Sequence, residues 1–219
     1  ASVIPDLLPR NALLVGPTVP IGWAATDYWQ AFRHATAVPS VNTVLEPELY
    51  GLRLPDATFH FARVRSERGS DETILRRMAA EAPHVARILR DVQPEKIVYA
   101  CTSGSMVGGE GFDGELAAAI TSSSGVPATT TATEVLAALA ALGACSLAIG
   151  TPYLEWVTES EVRFFEAAGL RVVSTASLGL VDGHAIAALA RELDGSADEV
   201  VWGRCGAAAP DRRLPGIAF

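Results

Sequence analysis

Three cysteines, Cys101, Cys145 and Cys205, carry the strongest nucleophiles in the chain, and their contexts differ. The thiolate is the attacking form, so the question is which context lowers a thiol pKa. Cys101 stands in YACTSGS, where a short apolar run gives way to Thr102, Ser103, Gly104 and Ser105. Hydroxyls and backbone N–H groups in such a turn can hold an anion and favour a thiolate. Free cysteine is also among the most buried residue types, so packing alone could place one at a strand end. A strand that needed only packing would not be expected to end in a run of small polar positions, which favours the chemical reading of Cys101. Cys205, in VVWGRCGAAA, repeats the context with fewer donors after it, and there packing and chemistry stay balanced. Cys145, in LGACSLAIG, precedes its apolar run instead of ending it and is expected to be structural.

Two further side chains stand where a ligand could meet them. Asn42 lies in VPSVNTVLEPE, after an apolar run that ends at Pro39 and Ser40 and before an acidic, helix-like stretch. Asn42 or Thr43 is placed to form a turn and cap that helix, a role compatible with facing a ligand. Tyr153, in GTPYLEWV, follows another apolar run and opens a helical pattern, so its ring either packs or aims a hydroxyl at a bound carboxylate. His34, His60, His84 and His184 lack metal-ligand spacing, and no metal is expected. Gly108-Gly109-Glu110-Gly111 lacks the GK(S/T) ending of a phosphate loop, and no GxGxxG follows a first strand. Nucleotide binding therefore has little support, and the absence of a GxSxG elbow argues equally against a serine hydrolase.

The elements that must position these groups follow from periodicity. Apolar β-branched runs alternate with helical patterns along most of the chain, the sign of βαβ units and a parallel sheet, so the class is α/β. Strands are expected at 58–64, 96–100, 126–130, 146–150, 171–175 and 199–202. Helices are expected at 71–89, with Ser70 as N-cap, and at 111–122, 133–142, 153–168 and 184–193. The runs 96–101 and 199–205 both follow an acidic helix end, both are apolar and both deliver a cysteine, a weak internal duplication. Parallel sheets bind ligands beyond the carboxyl ends of their strands, so two such ends from two lobes could face each other across one cleft.

Charge and composition narrow the partners. The 219 residues carry 25 acidic and 17 basic side chains, net −8, and 49% are hydrophobic. That balance supports a large core, excludes disorder, and has the wrong sign for neutralising phosphates, so neither nucleic acid nor an anionic membrane is an expected partner. Three cysteines without a CxxC pair cannot complete a disulfide framework and point to free thiols in a reducing compartment. The apolar tract 135–149 is too short to span a bilayer, and the first residues lack a basic region followed by an unbroken apolar stretch. A cytoplasmic location is expected.

Taken together, VPSVNTVLEPELYGL, HFARVR, VYACTSGS, SGVPATTTATEVLAALAALG, IGTPYLEWV and SLGLVDG resemble the aspartate/glutamate racemase superfamily, in its maleate isomerase and arylmalonate decarboxylase branch, over about residues 35–205. The resemblance implies two pseudo-symmetric α/β lobes, 1–127 and 128–219, each with a mainly parallel sheet flanked by helices. It implies a cofactor-free site in the cleft between them, with one cysteine per lobe. Cys101 matches the first-lobe cysteine, and Cys205 is the candidate for the second. Asn42 matches the asparagine of a PSxNT motif that binds a substrate carboxylate, with Ser40 in the same motif. Tyr153 matches a tyrosine after the second-lobe strand, and Thr102 and Ser103 match a turn that supplies donors to the substrate. Decarboxylases of the branch keep only the second cysteine and have glycine where Cys101 stands, so two thiols favour isomerase or racemase chemistry. The implied activity is isomerisation of maleate to fumarate without a cofactor, Cys101 acting as nucleophile and Cys205 as acid/base, on a small dicarboxylate bound by a homo-oligomer. The alternatives are a two-cysteine amino-acid or hydantoin-type racemase, an arylmalonate-decarboxylase-like enzyme and a degenerate small-acid-binding protein.

Three departures from the family pattern carry expectations of their own. Relatives carry the second cysteine in a Ser-Cys turn before a Leu-rich helix, whereas here the segment reads GRCGAAAPDRRLPGIAF, with Arg204 the one basic residue beside it. Asp182-Gly183 stands where maleate isomerases have an asparagine turn, so one carboxylate ligand is expected to be missing. Relatives finish with another strand and helix, and residues 3–33 read as helix, strand and aromatic helix like that final segment. Residues 1–34 are therefore expected to be a rearranged terminal βα unit, the alternative being an unrelated N-terminal extension with a divergent or truncated tail. A dianionic substrate in a chain of net −8 must be held by neutral donors at short range.

Overall fold

A computed structural model describes residues 32–54, 57–67, 71–177, 179, 199–202 and 217–218. The first sheet contains β1 (Phe32–Pro39), β2 (Ala57–Val64), β3 (Lys96–Tyr99) and β4 (Ala128–Thr130). They are all parallel, in the order β2-β1-β3-β4. The connections carry helices α1 (Leu45–Gly51), α2 (Glu72–Leu89), α3 (Thr102–Met106) and α4 (Phe112–Ser124). After α5 (Thr131–Leu142), the second sheet contains β5 (Ser146–Thr151), β6 (Arg171–Ser177), β7 (Glu199–Trp202) and β8 (Ile217–Ala218), with α6 (Glu155–Ala167) between β5 and β6. Its strands are again parallel, in the order β6-β5-β7-β8. The same strand order thus occurs twice, which turns the weak sequence duplication into a topological one.

Central strands buried on both faces need small or branched apolar residues, and β1 supplies Ala35, Ala37 and Val38, all at zero exposure. Helix α2 covers one face of the first sheet with a buried stripe of Leu75, Met78, Ala79, Ala82, Val85, Ala86 and Leu89, spaced three and four apart. The core of this half joins that stripe to Ile97 and Tyr99 of β3 and to Leu116 and Ile120 of α4. A second core gathers α5, β5 and α6, and Met106 at the end of α3 belongs to it. The short helix that follows Cys101 is therefore packed into the second half of the molecule.

Several expectations are corrected. Asp71, not Ser70, caps α2, its Oδ1 accepting from Thr73 N at 2.6 Å and Ile74 N at 3.4 Å. A cap must directly precede the first helical residue, Glu72, for its oxygen to reach the next amides. Strand β1 reaches back to Phe32 and takes Phe32 and Arg33 out of the expected aromatic helix, because β2 offers partners as far as Ala57. Strand β4 pairs with β3, so the first sheet runs on through Thr130. Helix α6 starts at Glu155, two residues after Tyr153. Cys145 sits at the start of β5 as expected but is exposed rather than packed, its sulfur 3.6 Å from the Gly143 carbonyl oxygen. Among the described residues no helix is long and apolar enough to cross a membrane. Cys205, Arg204, His184, the 184–193 helix, Asp182-Gly183 and the expected rearranged unit up to residue 31 lie outside the described residues.

Candidate active site

In the first sheet the chain steps one way from β1 to β2 and the other way to β3, so β1 and β3 are neighbours whose following connections diverge. The crevice beyond the carboxyl ends at such a reversal is where open parallel sheets bind ligands. Strand β1 delivers Ser40 and Asn42 there, and β3 delivers Cys101. Ala37 lies opposite Tyr99, and Ala100 N donates to Ala37 O at 2.9 Å, so the two turns leave the sheet side by side. In the second sheet β5 and β7 stand in the same relation. Strand β5 delivers Tyr153.

The Asn42 turn is held by its own polar groups. Asn42 N donates to Pro39 O at 2.9 Å, and its Oδ1 accepts from Val44 N and Leu45 N, both at 3.0 Å. With the carbonyl oxygen so engaged, the amide NH2 is the end left to face a ligand. Ser40 fastens the turn to the end of β2: Ser40 N donates to Val64 O at 2.7 Å, and its Oγ accepts from Ser66 N at 2.9 Å. Arg63 of β2 donates to the Asn42 carbonyl and pairs with Glu46 on α1. Sequence reasoning missed this brace, whose only trace was a basic residue near the carboxyl end of an alternating strand.

Cys101 has extended backbone, φ −142 and ψ 105, and directly precedes α3, its carbonyl accepting from Ser105 N at 2.9 Å. Its side chain is half-buried. Thr102 and Ser103 form the first residues of α3, half-buried, with hydroxyls that make no hydrogen bond to another described residue. Ser105 is fully buried; its hydroxyl donates to Thr102 O at 2.9 Å and accepts from Ala132 N at 3.2 Å, tying the turn to α5. Tyr99, also at zero exposure, sits two residues before Cys101 on the same face of β3.

Tyr153 is 8% exposed, and its neighbouring backbone is pinned. Its N–H donates to Thr151 Oγ1 at 3.2 Å, and its carbonyl accepts from Gly179 N at 3.0 Å and from Ser177 Oγ. Ser103 and Met106 of α3 share a packed surface with Trp156, Val157 and Ser160 of α6. The turn after Cys101 therefore abuts the first turns of the helix into which Tyr153 leads. Glu161 of α6 lines the same surface; it is buried, its Oε1 has no partner among the described residues, and burial pushes its carboxyl up to about 8. The sequence did signal Glu161, as a carboxylate on the stripe of Val157, Phe164 and Phe165, but that signal was missed. Among the described residues no cluster of His, Cys, Asp or Glu could hold a metal ion.

A parallel α/β unit used twice is the fold this chain shares with racemase-like α/β enzymes. Residues 56–203 match the family described as arylmalonate decarboxylase, and the chain belongs to that family, within the Asp/Glu racemase-like superfamily. It is similar to the maleate isomerase of Nocardia farcinica, 32% identical over 179 residues that cover 74% of this chain and 71% of that protein. The fold is shared with a variant of the Nocardia farcinica maleate cis-trans isomerase carrying a covalently bound succinylcysteine intermediate. Identity there is 30% and the TM-score 0.72, over 78% of this chain and 77% of that one. A doubly substituted arylmalonate decarboxylase in liganded form is also similar, at 25% identity and TM-score 0.71, over 86% of this chain and 87% of that one.

Proposed function

We propose that this chain interconverts maleate and fumarate without a cofactor, using Cys101 as the nucleophile. The observation that carries the reading is the position of Cys101: the half-buried thiol ends β3 at the reversal point, beside the Asn42 turn and before hydroxyl-bearing residues. The covalent succinylcysteine described for the Nocardia farcinica relative supports the same chemistry.

The thiolate adds to one alkene carbon, forming a C–S bond while the π pair moves toward the neighbouring carboxylate. A proton from Cys205 completes a succinyl thioether, and the former double bond becomes a single bond free to rotate. Return of the proton to Cys205 and departure of the thiolate release the trans isomer, so atoms and electrons balance with nothing consumed. Cys101 must ionise near neutral pH while Cys205 keeps its proton, which demands different surroundings for two identical groups. The Asn42 amide, the Thr102 and Ser103 hydroxyls and Tyr153 hold the two carboxylates as neutral donors, and Ser40 shapes the turn that presents Asn42. In this reading the two halves act as lobes that meet along α3 and α6, with the dicarboxylate between them.

The test is ultraviolet assay of maleate loss by wild type and Cys101→Ala, with intact mass after incubation with maleate. Loss of turnover by at least about 10³-fold in the variant, and a covalent adduct mapped to Cys101 in the wild type, are expected. Equal rates in the two proteins would sink the covalent mechanism, and CO2 release from an arylmalonate without maleate turnover would move the chain to the decarboxylases.

A further inference from the structure

We propose that Tyr99 is a positioning residue for the reacting thiol, its buried hydroxyl donating to the Cys101 sulfur and holding it as the thiolate at the end of β3. The assignment rests on Cys101 being the nucleophile. Successive residues of a strand alternate faces, so Tyr99 and Cys101, two apart, project to the same side. Both belong to the α2–α4 side of the sheet, Tyr99 within the core and Cys101 packed against it. The Tyr99 ring is wholly buried, and its hydroxyl meets no hydrogen-bond geometry with any described residue. Buried hydroxyls are rarely left without an acceptor, and the Cys101 sulfur, which shares the space beside Gly104 with it, is the acceptor assigned here.

Gly104 shows how close the two groups come. A β-carbon at that position would stand 2.7 Å from the Tyr99 hydroxyl oxygen and 2.8 Å from the Cys101 sulfur. Both atoms therefore crowd the space that the missing side chain leaves open, and glycine is the residue that permits them to share it. Burial, reinforced by the adjacent sulfur, pushes the phenol well above its ordinary pKa. The O–H accordingly keeps its proton throughout the range in which a thiol ionises, and acts as a fixed donor instead of a competing acid. A hydrogen bond to the charged form favours it, so Tyr99 lowers the pKa of Cys101. A neutral donor suits a nucleophile that must also leave, because nucleophilicity falls as a thiol is made more acidic.

The experiment is the pH dependence of iodoacetamide alkylation at Cys101, followed by peptide mass mapping without substrate, in wild type and Tyr99→Phe. Removal of the hydroxyl is expected to raise the alkylation midpoint by about one pH unit and to lower kcat for maleate more than it changes KM, with the thermal midpoint little altered. A folded variant with an unchanged alkylation midpoint would overturn the proposal. The wild type gives an independent reading: a thiolate ultraviolet absorbance at Cys101 that titrates at or above the pKa of free cysteine overturns it as well. Alkylation is measured without turnover, so a shifted midpoint in a protein that fails to convert maleate would leave the Tyr99 assignment standing and refute only the proposed reaction.

Discussion

In the proposed reading Asn42 serves the fold with one end of its amide and the ligand with the other. Its oxygen accepts two backbone N–H groups at 3.0 Å and so fixes which end faces outward. Aspartate at this position would keep the acceptor, remove the donor and place negative charge beside a bound carboxylate. Asn42→Asp is expected to raise KM for maleate about tenfold or more, equivalent to about 1.4 kcal/mol, with little change in thermal midpoint. Asn42→Ala loses the capping oxygen too and should cost about 1 kcal/mol of stability in addition. Steady-state kinetics beside thermal melts separate the two effects, and an unchanged KM in the aspartate variant would remove Asn42 from the binding set. Residue types alone pointed to Asn42 and Cys101. They did not point to Arg63 or Tyr99, because a brace and a buried donor are defined by what lies opposite them.

At the scale of elements, the seat of Cys101 depends on how α5 begins. Thr130 ends β4 and caps α5, its Oγ1 accepting from Thr133 N at 3.2 Å and lying 3.0 Å from Thr133 Oγ1. Thr133 in turn donates to Asp113 of α4 at 2.7 Å, and Ser105 of α3 accepts from Ala132 N in the same first turn. Thr130→Val keeps the volume and removes the cap, so a loss of about 1 kcal/mol is expected, lowering the thermal midpoint by about 2–4 °C. A calorimetric midpoint equal to that of wild type would show that this network is not limiting for stability. Periodicity made these elements legible in the sequence to within a few residues. Their ends were less so, since Asp71 displaced Ser70 as a cap and β1 ran back to Phe32, and both outcomes follow from partners elsewhere in the chain.

For the whole molecule, Glu161 makes stability depend on pH in an unusual direction. Its carboxyl is raised to about 8 by burial, so the folded state holds a proton that the unfolded chain releases at an ordinary carboxylate pKa. The native state then binds more protons than the unfolded state between those two values. Stability is greatest below the lower one and falls by up to about 1.4 kcal/mol per pH unit as pH rises toward the upper one. Glu161→Gln keeps the shape without the titration, so its thermal midpoint should exceed that of wild type by a margin that widens from about pH 5 to about pH 8. A constant margin across that range would refute the prediction. Glu161 lies on the surface that α6 shares with Ser103 and Met106 of α3.

The sequence by itself determined the α/β class, most of the helices and strands, and the turn carrying Cys101, because periodicity and the chemistry of small polar residues are local properties. The family resemblance gave Asn42 its expected place at a substrate carboxylate and matched Tyr153 to a tyrosine of the second lobe. Only the tertiary structure decided that β1 and β3 are neighbours at a reversal point, that β4 closes the first sheet, and that the order β2-β1-β3-β4 recurs as β6-β5-β7-β8. Strand adjacency is a pairing between segments tens of residues apart, which no local pattern encodes. The same holds for Tyr99, Gly104 and Cys101, three residues close in sequence whose shared space appears only when strand and helix are both in place.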